Sequence, residues 1–505
     1  MRSVARGGLL NLIGAAVNGL SQFLLVVAVT RALHGGQAGA FFEAIALFMI
    51  LSNTCELGAD TGLTRMIPRL RVQSRIADVR AVLGVGIWPS LASGILFAIA
   101  VYVFAAPLAE IFTHHREAAA DRVAEYIRIM AIFLPVSCVY TVAVAGTRGF
   151  GTMMPNALID RVARSSVQLL LVVAVLLVSD RPSAIAVAWS LPFAAGLVAA
   201  GAWLLRLLHR VERRAATTPQ EPATPLRRLY GEFWRYTAPR GLTGAFQITI
   251  VWVGTLMVGS LLSTSSASVY TASTRYLVAG TLVNTAILQV IAPKLAELLS
   301  AGLGDRAKDV YQLATACLIT IAWPMYFTLA LFAPVLLSAF GHDYRAGVSS
   351  LAILSVAMLV ATGIGPVDVV LLMGGRSTWN LFNVVMALIL NLVLGLVLIP
   401  RIGIAGAAVG LAGAILFNNV APLLEVRAFL RVHPFGRAFL PVAASAALCF
   451  GGLGSALRLT VGESVPVLFA YLAVASLGYA AMLYGFRERI ELPLLWQTLA
   501  RRRDR

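Results

Sequence analysis

Apolar windows of about 20 residues follow one another along almost the whole of this 505-residue chain, near 9–33, 40–64, 82–106, 123–147, 154–178, 184–208, 237–261, 267–292, 312–333, 347–372, 379–399, 404–426, 438–457 and 465–485. Each has the length of a helix that spans a bilayer core, and in lipid a backbone must satisfy its own hydrogen bonds. A helix does that within its own segment. Hydrophobic residues make up 59% of the chain and charged residues 12%, a balance that no soluble domain of this length carries. The sequence therefore predicts an all-α polytopic membrane protein of about fourteen transmembrane helices. The opening run, after Arg2 and Arg6, is longer than a signal-peptide core and has no small-residue cleavage site, so it is expected to be retained as the first span.

The net charge of +17 would, in a soluble chain, point to nucleic acid. Here the cations occupy short connectors. With alternate connectors assigned to one side, starting from the N-terminus, and cations near a window's end counted with the adjoining connector, 29 of the 40 lysines and arginines fall on that side, 8 on the other, and three, Arg161, Arg164 and Arg275, lie within spans. The positive-inside rule then makes both termini cytoplasmic and the location the cell membrane, and it leaves no nucleic-acid partner. The outer connectors are short, the longest lying between Ala106 and Arg122, which argues against a polysaccharide polymerase or ligase with a large catalytic outer loop. Cys55, Cys138, Cys317 and Cys449 sit in apolar segments at unrelated spacings, indicating neither a disulfide framework nor a metal site. No nucleotide-binding loop or nucleophile arrangement occurs. No enzyme activity and no cofactor are expected, and the energy source is an ion gradient, the membrane potential or substrate consumption.

Three echoes repeat at nearly one spacing. "FAAPLAEIF" from Phe104 answers "LFAPVLLSAF" from Leu331, "MIPRL" from Met66 answers "IAPKL" from Ile291, and "GFGTMMPN" from Gly149 answers "MGGRSTWN" from Met373. Six spans per repeat is an even number, so the halves share one orientation and are related by a pseudo-two-fold axis along the membrane normal. The expected organisation is a six-helix lobe over 1–208, a Pro/Thr-rich cytoplasmic linker over 209–236 and a second six-helix lobe over 237–430. Two additional helices over 431–487 and a basic cytoplasmic tail over 488–505 follow.

"VTRALHGGQAGAFFEAIAL", "ELGADTGLTRMIPRL" and "FAPVLLSAFGHDYRAGVSSLAILSVAML" give the chain its likeness to a known family. It resembles the multidrug/oligosaccharidyl-lipid/polysaccharide exporter superfamily, and within it the O-antigen type polysaccharide flippases. The resemblance implies two lobes around a central cavity that opens alternately to either side, and a polyprenyl-diphosphate-linked oligosaccharide as cargo moved from the inner to the outer leaflet. The partners it implies are that substrate, membrane lipids, and the polymerase and glycosyltransferases of the same pathway. Two relatives with other cargo compete: a cation-coupled drug exporter, which usually stops at twelve spans, and the peptidoglycan-precursor flippase, which typically carries a cation within its first span. Here Arg31 stands only at the far end of that span.

Intramembrane charges are the candidate site, because an arginine at the centre of a spanning helix costs roughly 3 kcal/mol and is kept where it faces protein, water or an anion. Arg275, about eight residues into its window, either snorkels to the outer headgroups or holds a diphosphate bidentately. Its counterpart in the first half, Leu47, is aliphatic, so the repeat itself needs no cation there. Asp160, Arg164 and Gln168 are spaced to share one helical face, with Arg161 beside them; they are a diphosphate site or a self-satisfied pair. Glu56 and Asp60, four apart on the second span, are a coupling-ion site, partners for an arginine, or structural. Asp368 follows Gly363, Gly365 and Pro366, which loosen the tenth span. Asn11, Asn18 and Gln22 on the first span, with Thr243 and Gln247 on the seventh, line a cavity or glue helices.

Overall fold

The computed structural model describes residues 2–113, 117–215 and 224–487. The basic tail expected over 488–505 lies outside them, as do His114 and His115 and most of the Pro/Thr-rich part of the linker. The described residues fall into two compact units, those up to Thr271 with Ile399–Ile404, and those of Ala272–Leu398 with the described residues from Ala405 onward.

The first unit runs α1 (Arg2–Ala32), α2 (Gly35–Cys55), α3 (Ala59–Val72), α4 (Ala77–Val103), α5 (Ala105–Phe112), α6 (Glu117–Ile132) and α7 (Leu134–Gly149). A π-helical stretch (Asn156–Arg164), α8 (Ser165–Leu176), α9 (Pro182–Ala215) and α10 (Leu226–Leu261) follow. α11 (Thr264–Arg275) leads to α12 (Leu277–Ser300), α13 (Gly304–Leu331), α14 (Ala333–Leu337), a 3-10 turn (His342–Gly347), α15 (Val348–Ile364) and α16 (Val367–Met373). α17 (Ser377–Ile402), α18 (Ile404–Leu430), α19 (Phe439–Ala446), a second π-helical stretch (Ala447–Gly452), α20 (Leu453–Val461) and α21 (Val465–Gly485) complete the chain.

Among the described residues, eleven helices are long and apolar enough to cross a membrane, and two bent pairs bring the number to thirteen. The one remaining window, the fifth (154–178), is helical too, but Asp160, Arg161 and Arg164 fall inside it. Hydroxyls within the helices return to the carbonyl one turn back, Thr54 to Ile50 at 2.7 Å and Thr362 to Met358 at 2.6 Å, which is how a polar side chain is accommodated without water.

Each sequence echo is also an echo of conformation. α4 ends at Phe104 (φ −90°, ψ 14°) before short α5, and α13 ends at Phe332 (φ −105°, ψ 24°) before short α14. Pro107 and Pro334 both fall in the first turn of the short helix, where a missing N–H leaves no helix bond unmade. Pro68 and Pro293 both lie inside helices, α3 and α12. Gly151 (φ 88°) and Gly375 (φ 79°) take the same left-handed turn before the next span, a conformation that a side chain disfavours.

Two windows that read as continuous helices are broken. α2 stops at Cys55, Leu57 (φ 53°) and Gly58 (φ 77°) turn left-handed, and α3 starts at Ala59. The eighth window breaks at Tyr276, and α12 bends again by 44° between Leu288 and Ile291. A third break, at Gly365 (φ 76°) and Pro366, parts α15 from α16.

Within the first unit, a Cβ on Gly241 of α10 would stand 2.3 Å from the backbone of Leu57, so the two backbones meet where α2 gives way to α3. Gly241→Ala is expected to lower the thermal midpoint of the purified protein by the equivalent of about 1–3 kcal/mol. Gly201→Ala, at a position where a Cβ meets nothing within 4 Å, is expected to leave it unchanged or raise it. Equal midpoints for the two variants would show that the contact yields freely. In the second unit, the two last helical segments are held to α13 and to each other by tyrosines: Tyr479 donates to the Thr320 carbonyl at 3.2 Å and Tyr471 to that of Phe450 at 3.0 Å, with its ring stacked on Phe332 at 4.8 Å.

Candidate functional site

In the first unit the π-helical stretch and α8 carry a network of charged and amide side chains. Arg164 donates through Nε to Asp160 at 3.0 Å, and the same carboxylate oxygen accepts from the Tyr140 hydroxyl of α7 at 3.0 Å. Gln168 accepts from Gln22 of α1 at 3.0 Å and donates to the Trp189 carbonyl of α9 at 2.7 Å. The Arg164 guanidinium also lies 5.0 Å above the ring of Phe193, a cation–π arrangement. Side-chain exposure is 14% for Arg164 and 29% for Asp160, so the pair is largely removed from solvent.

The wider π-helical turn shifts the residues that follow it around the helix axis, and such stretches are frequent at functional sites. Arg161 points to the other end of the polar stripe on α1: its Nη1 approaches the Asn11 carbonyl at 3.5 Å, while Asn156 donates to the Asn11 side chain at 3.0 Å. Asn11 and Gln22 thus join α1 to the fifth span. Asn18, between them in sequence, keeps a buried Oδ1 without a hydrogen-bond partner.

Glu56 and Asp60 do not share one helix. Glu56 is buried at the end of α2, beside Thr141, and Asp60 opens α3, where Thr61 donates to it at 3.2 Å and Arg148 of α7 stands 3.9 Å away. Arg148, expected in a connector, lies near enough to Arg161 for the two charges to act on each other. Three acids, Glu56, Asp60 and Asp160, therefore stand with three arginines, Arg148, Arg161 and Arg164, in one part of the first unit.

Other candidates stand apart from this network. Thr243 returns its hydroxyl to the Pro239 carbonyl at 3.0 Å, and Gln247 is exposed on α10. In the second unit Asp368 lies in the first turn of α16, where it accepts from the backbone N–H of Val369, and Tyr311 nearby bonds the Ile364 carbonyl at 2.8 Å.

Arg275 is the last residue of α11, half-buried, and followed by Tyr276, whose hydroxyl donates to the Leu336 carbonyl at 2.6 Å and whose ring packs edge-on to Phe340. α11 starts at Thr264, earlier than the apolar window suggests. The arginine is therefore ~16 Å from its helix start, where the eight residues of its window would give ~12 Å, and closes a helix whose carbonyl end favours a cation.

One further residue has no signal in the sequence. Glu43 of α2 is 0% exposed, and neither carboxylate oxygen has a hydrogen-bond partner; a Cβ on Gly259 of α10 would collide with it. A glutamate inside "AFFEAIAL" stands at no telling spacing, since the pattern identifies only the helix. Glu43→Gln fills the same volume without a charge to bury, and is expected to change the thermal midpoint by no more than about 1 kcal/mol equivalent. A larger fall would reveal a contact that requires the carboxylate.

The sequence profile of the polysaccharide biosynthesis protein family matches residues 4–299, more than half of the chain. The chain belongs to that family. Its fold is that of the multidrug/oligosaccharidyl-lipid/polysaccharide exporter superfamily. An inward closed structure of the lipid II flippase MurJ is similar over 95% of this chain and 99% of its own, with a TM-score of 0.69 at 13% identity. An inward-facing multidrug resistance MATE family transporter is similar over 84% of this chain and 98% of its own, with a TM-score of 0.64 at 15% identity. The Vibrio cholerae MATE transporter VcmN covers 85% of this chain and 97% of its own, with a TM-score of 0.62 at 14% identity. No curated protein is similar to the chain in sequence. The protein is thus a multi-pass membrane protein of a transporter and flippase family, as its apolar windows and family resemblance lead one to expect.

Proposed function

We propose that this member of the polysaccharide biosynthesis family is a flippase that moves a polyprenyl-diphosphate-linked oligosaccharide from the inner to the outer leaflet of the cell membrane by alternating access. The observation that carries this reading is the family match over residues 4–299 in a chain with an exporter fold. In support, the MATE transporters leave uncovered a share of this chain about as long as the segment after Leu430, whereas the lipid II flippase covers nearly all of it. The two helical segments between Phe439 and Gly485 are what a twelve-span drug exporter would lack.

In this reading 1–208 and 237–430 act as the two lobes, with both termini cytoplasmic. Arg275 in the second unit, and Arg164 with Arg161 in the first, are each assigned to the diphosphate, because a guanidinium matches two phosphate oxygens at once. Glu56, Asp60 and Asp160 balance the arginines of the first unit when no cargo is bound, and Asn18, Gln22 and Gln247 offer hydrogen bonds to the sugars.

The test is translocation in vesicles that contain only the purified protein. A fluorescent polyprenyl-diphosphate disaccharide should become accessible on the opposite leaflet without ATP, faster than in protein-free vesicles. Movement of lipid II alone would transfer the protein to peptidoglycan-precursor transport. Failure with several lipid-linked sugars, together with drug sensitivity and a normal surface glycan in a deletion strain, would make it a drug exporter.

A further inference from the structure

The first unit also holds a cavity of about 890 Å³, none of whose lining residues belongs to the charge network. One wall is α3 and the other the first three turns of α10, with Arg75 and Thr224 between them. Gly62 allows the approach, since a Cβ there would meet the Thr237 hydroxyl at 2.4 Å and the Phe233 ring at 2.6 Å. A latch fixes the turn: buried Asp78 accepts from the backbone N–H and the hydroxyl of Thr224 at 2.9 and 2.7 Å, and pairs with Arg75 at 2.7 Å.

Arg65, Arg69, Arg75, Arg227, Arg228 and Arg235 line this space, against a single acid, Glu232. Glu232 is paired with Arg69 at 2.8 Å, and Asp78 takes Arg75. Arg65 lies 3.7 Å above the Tyr236 ring, and among the described residues Arg227, Arg228 and Arg235 have no carboxylate partner. Arg227 and Arg228 stand in the first turn of a 36-residue helix that has no acid there. That end of a helix attracts anions and disfavours cations, so two arginines placed on it make a strong anion site rather than a helix cap. Thr237 supplies an independent sign: it lines the cavity, is 0% exposed, and its hydroxyl has no hydrogen-bond partner.

We infer that this cavity binds the phosphate of a lipid headgroup, gripped by Arg65, Arg227, Arg228 and Arg235 and hydrogen-bonded by Thr237. The volume lies in the range of small-ligand sites and admits a diphosphate with its first sugar. Two sources share that chemistry, a polyprenyl diphosphate waiting for transport and an anionic phospholipid of the bilayer. The site is independent of Arg275. Only its assignment to the inner leaflet rests on the orientation proposed above.

Binding is to be measured on the full chain in neutral detergent, in an Arg275→Ala background; Arg161 and Arg164 are present in reference and variants alike, so the cavity is read from the difference between them. The probes are farnesyl diphosphate and dioctanoyl phosphatidylglycerol, with farnesol and dioctanoyl phosphatidylcholine as uncharged and zwitterionic controls. Replacing Arg227, Arg228 and Arg235 together by alanine should weaken the phosphate probes at least about tenfold, and added salt should weaken them further. Thr237→Val, equal in volume, should weaken them several-fold and serves where the triple variant proves unstable. Tighter farnesyl diphosphate assigns the cavity to cargo, and equal or tighter phosphatidylglycerol assigns it to the bilayer lipid. Undiminished binding by both variants, or farnesol bound as tightly as its diphosphate, overturns the proposal. Because no step requires transport, the binding results support or overturn this site even if the protein fails to translocate lipid-linked sugars.

Discussion

Arg275→Ala is expected to abolish export of the proposed cargo, a lipid-linked oligosaccharide, and Arg275→Lys to reduce it, both at unchanged protein level. Three roles for this residue make different demands. An interfacial anchor needs a long stem and a charge, which lysine supplies. A cation closing α11 needs a charge near the last carbonyls, contributing about 0.3–1 kcal/mol, and lysine again suffices. A diphosphate held at two oxygens needs the planar fork of the guanidinium, which lysine lacks. The lysine variant therefore separates the third role from the first two. Removing a costly intramembrane charge does not hinder insertion, so accumulation should stay normal, while Tyr276 keeps the helix break pinned through Leu336. Export is to be followed by surface glycan in a deletion strain and by translocation in vesicles. Full export by the alanine variant would show that the diphosphate is held elsewhere.

The second large effect belongs to Asp160. Its carboxylate accepts from Arg164 and Tyr140, and Arg164 is 14% exposed, so Asp160→Ala strands a buried guanidinium and a buried hydroxyl together. Removing one partner of such a pair costs about 3 kcal/mol or somewhat more, which should appear as a lower thermal midpoint and a lower yield of folded protein. Adding Arg164→Leu removes the stranded charge and should recover at least about half of that loss, a coupling that a double-mutant cycle reads directly. Transport should not recover with stability, since the double variant lacks the arginine assigned to the diphosphate. A double variant that is both stable and active would reduce Asp160 and Arg164 to a structural pair.

Much of this protein was determined by its sequence alone. In lipid each span must close its own backbone hydrogen bonds, so the presence of a helix is a local property, and every apolar window is helical. The breaks at Phe104 and Phe332, and the turns at Gly151 and Gly375, were legible as repeats because a proline after the break or a glycine in the turn acts through its own backbone. Spacing likewise brought Asp160, Arg164 and Gln168 into view, since neighbours on one helix are set by the helix itself.

What only the tertiary structure decided is which residues on different helices meet. Whether Tyr140 reaches Asp160, or Gln22 reaches Gln168, depends on the rotation and depth of each helix, and no single-helix pattern encodes those. Spacing misled at Glu56 and Asp60, because the left-handed Leu57 and Gly58 between them are held where Gly241 brings α10 against the chain. Glu43 stayed hidden for the same reason, as did the arginine cavity, whose walls come from segments about 160 residues apart. Helix formation in a bilayer is settled residue by residue, but the partners of a buried charge are settled by packing, which is where this protein's candidate sites arise.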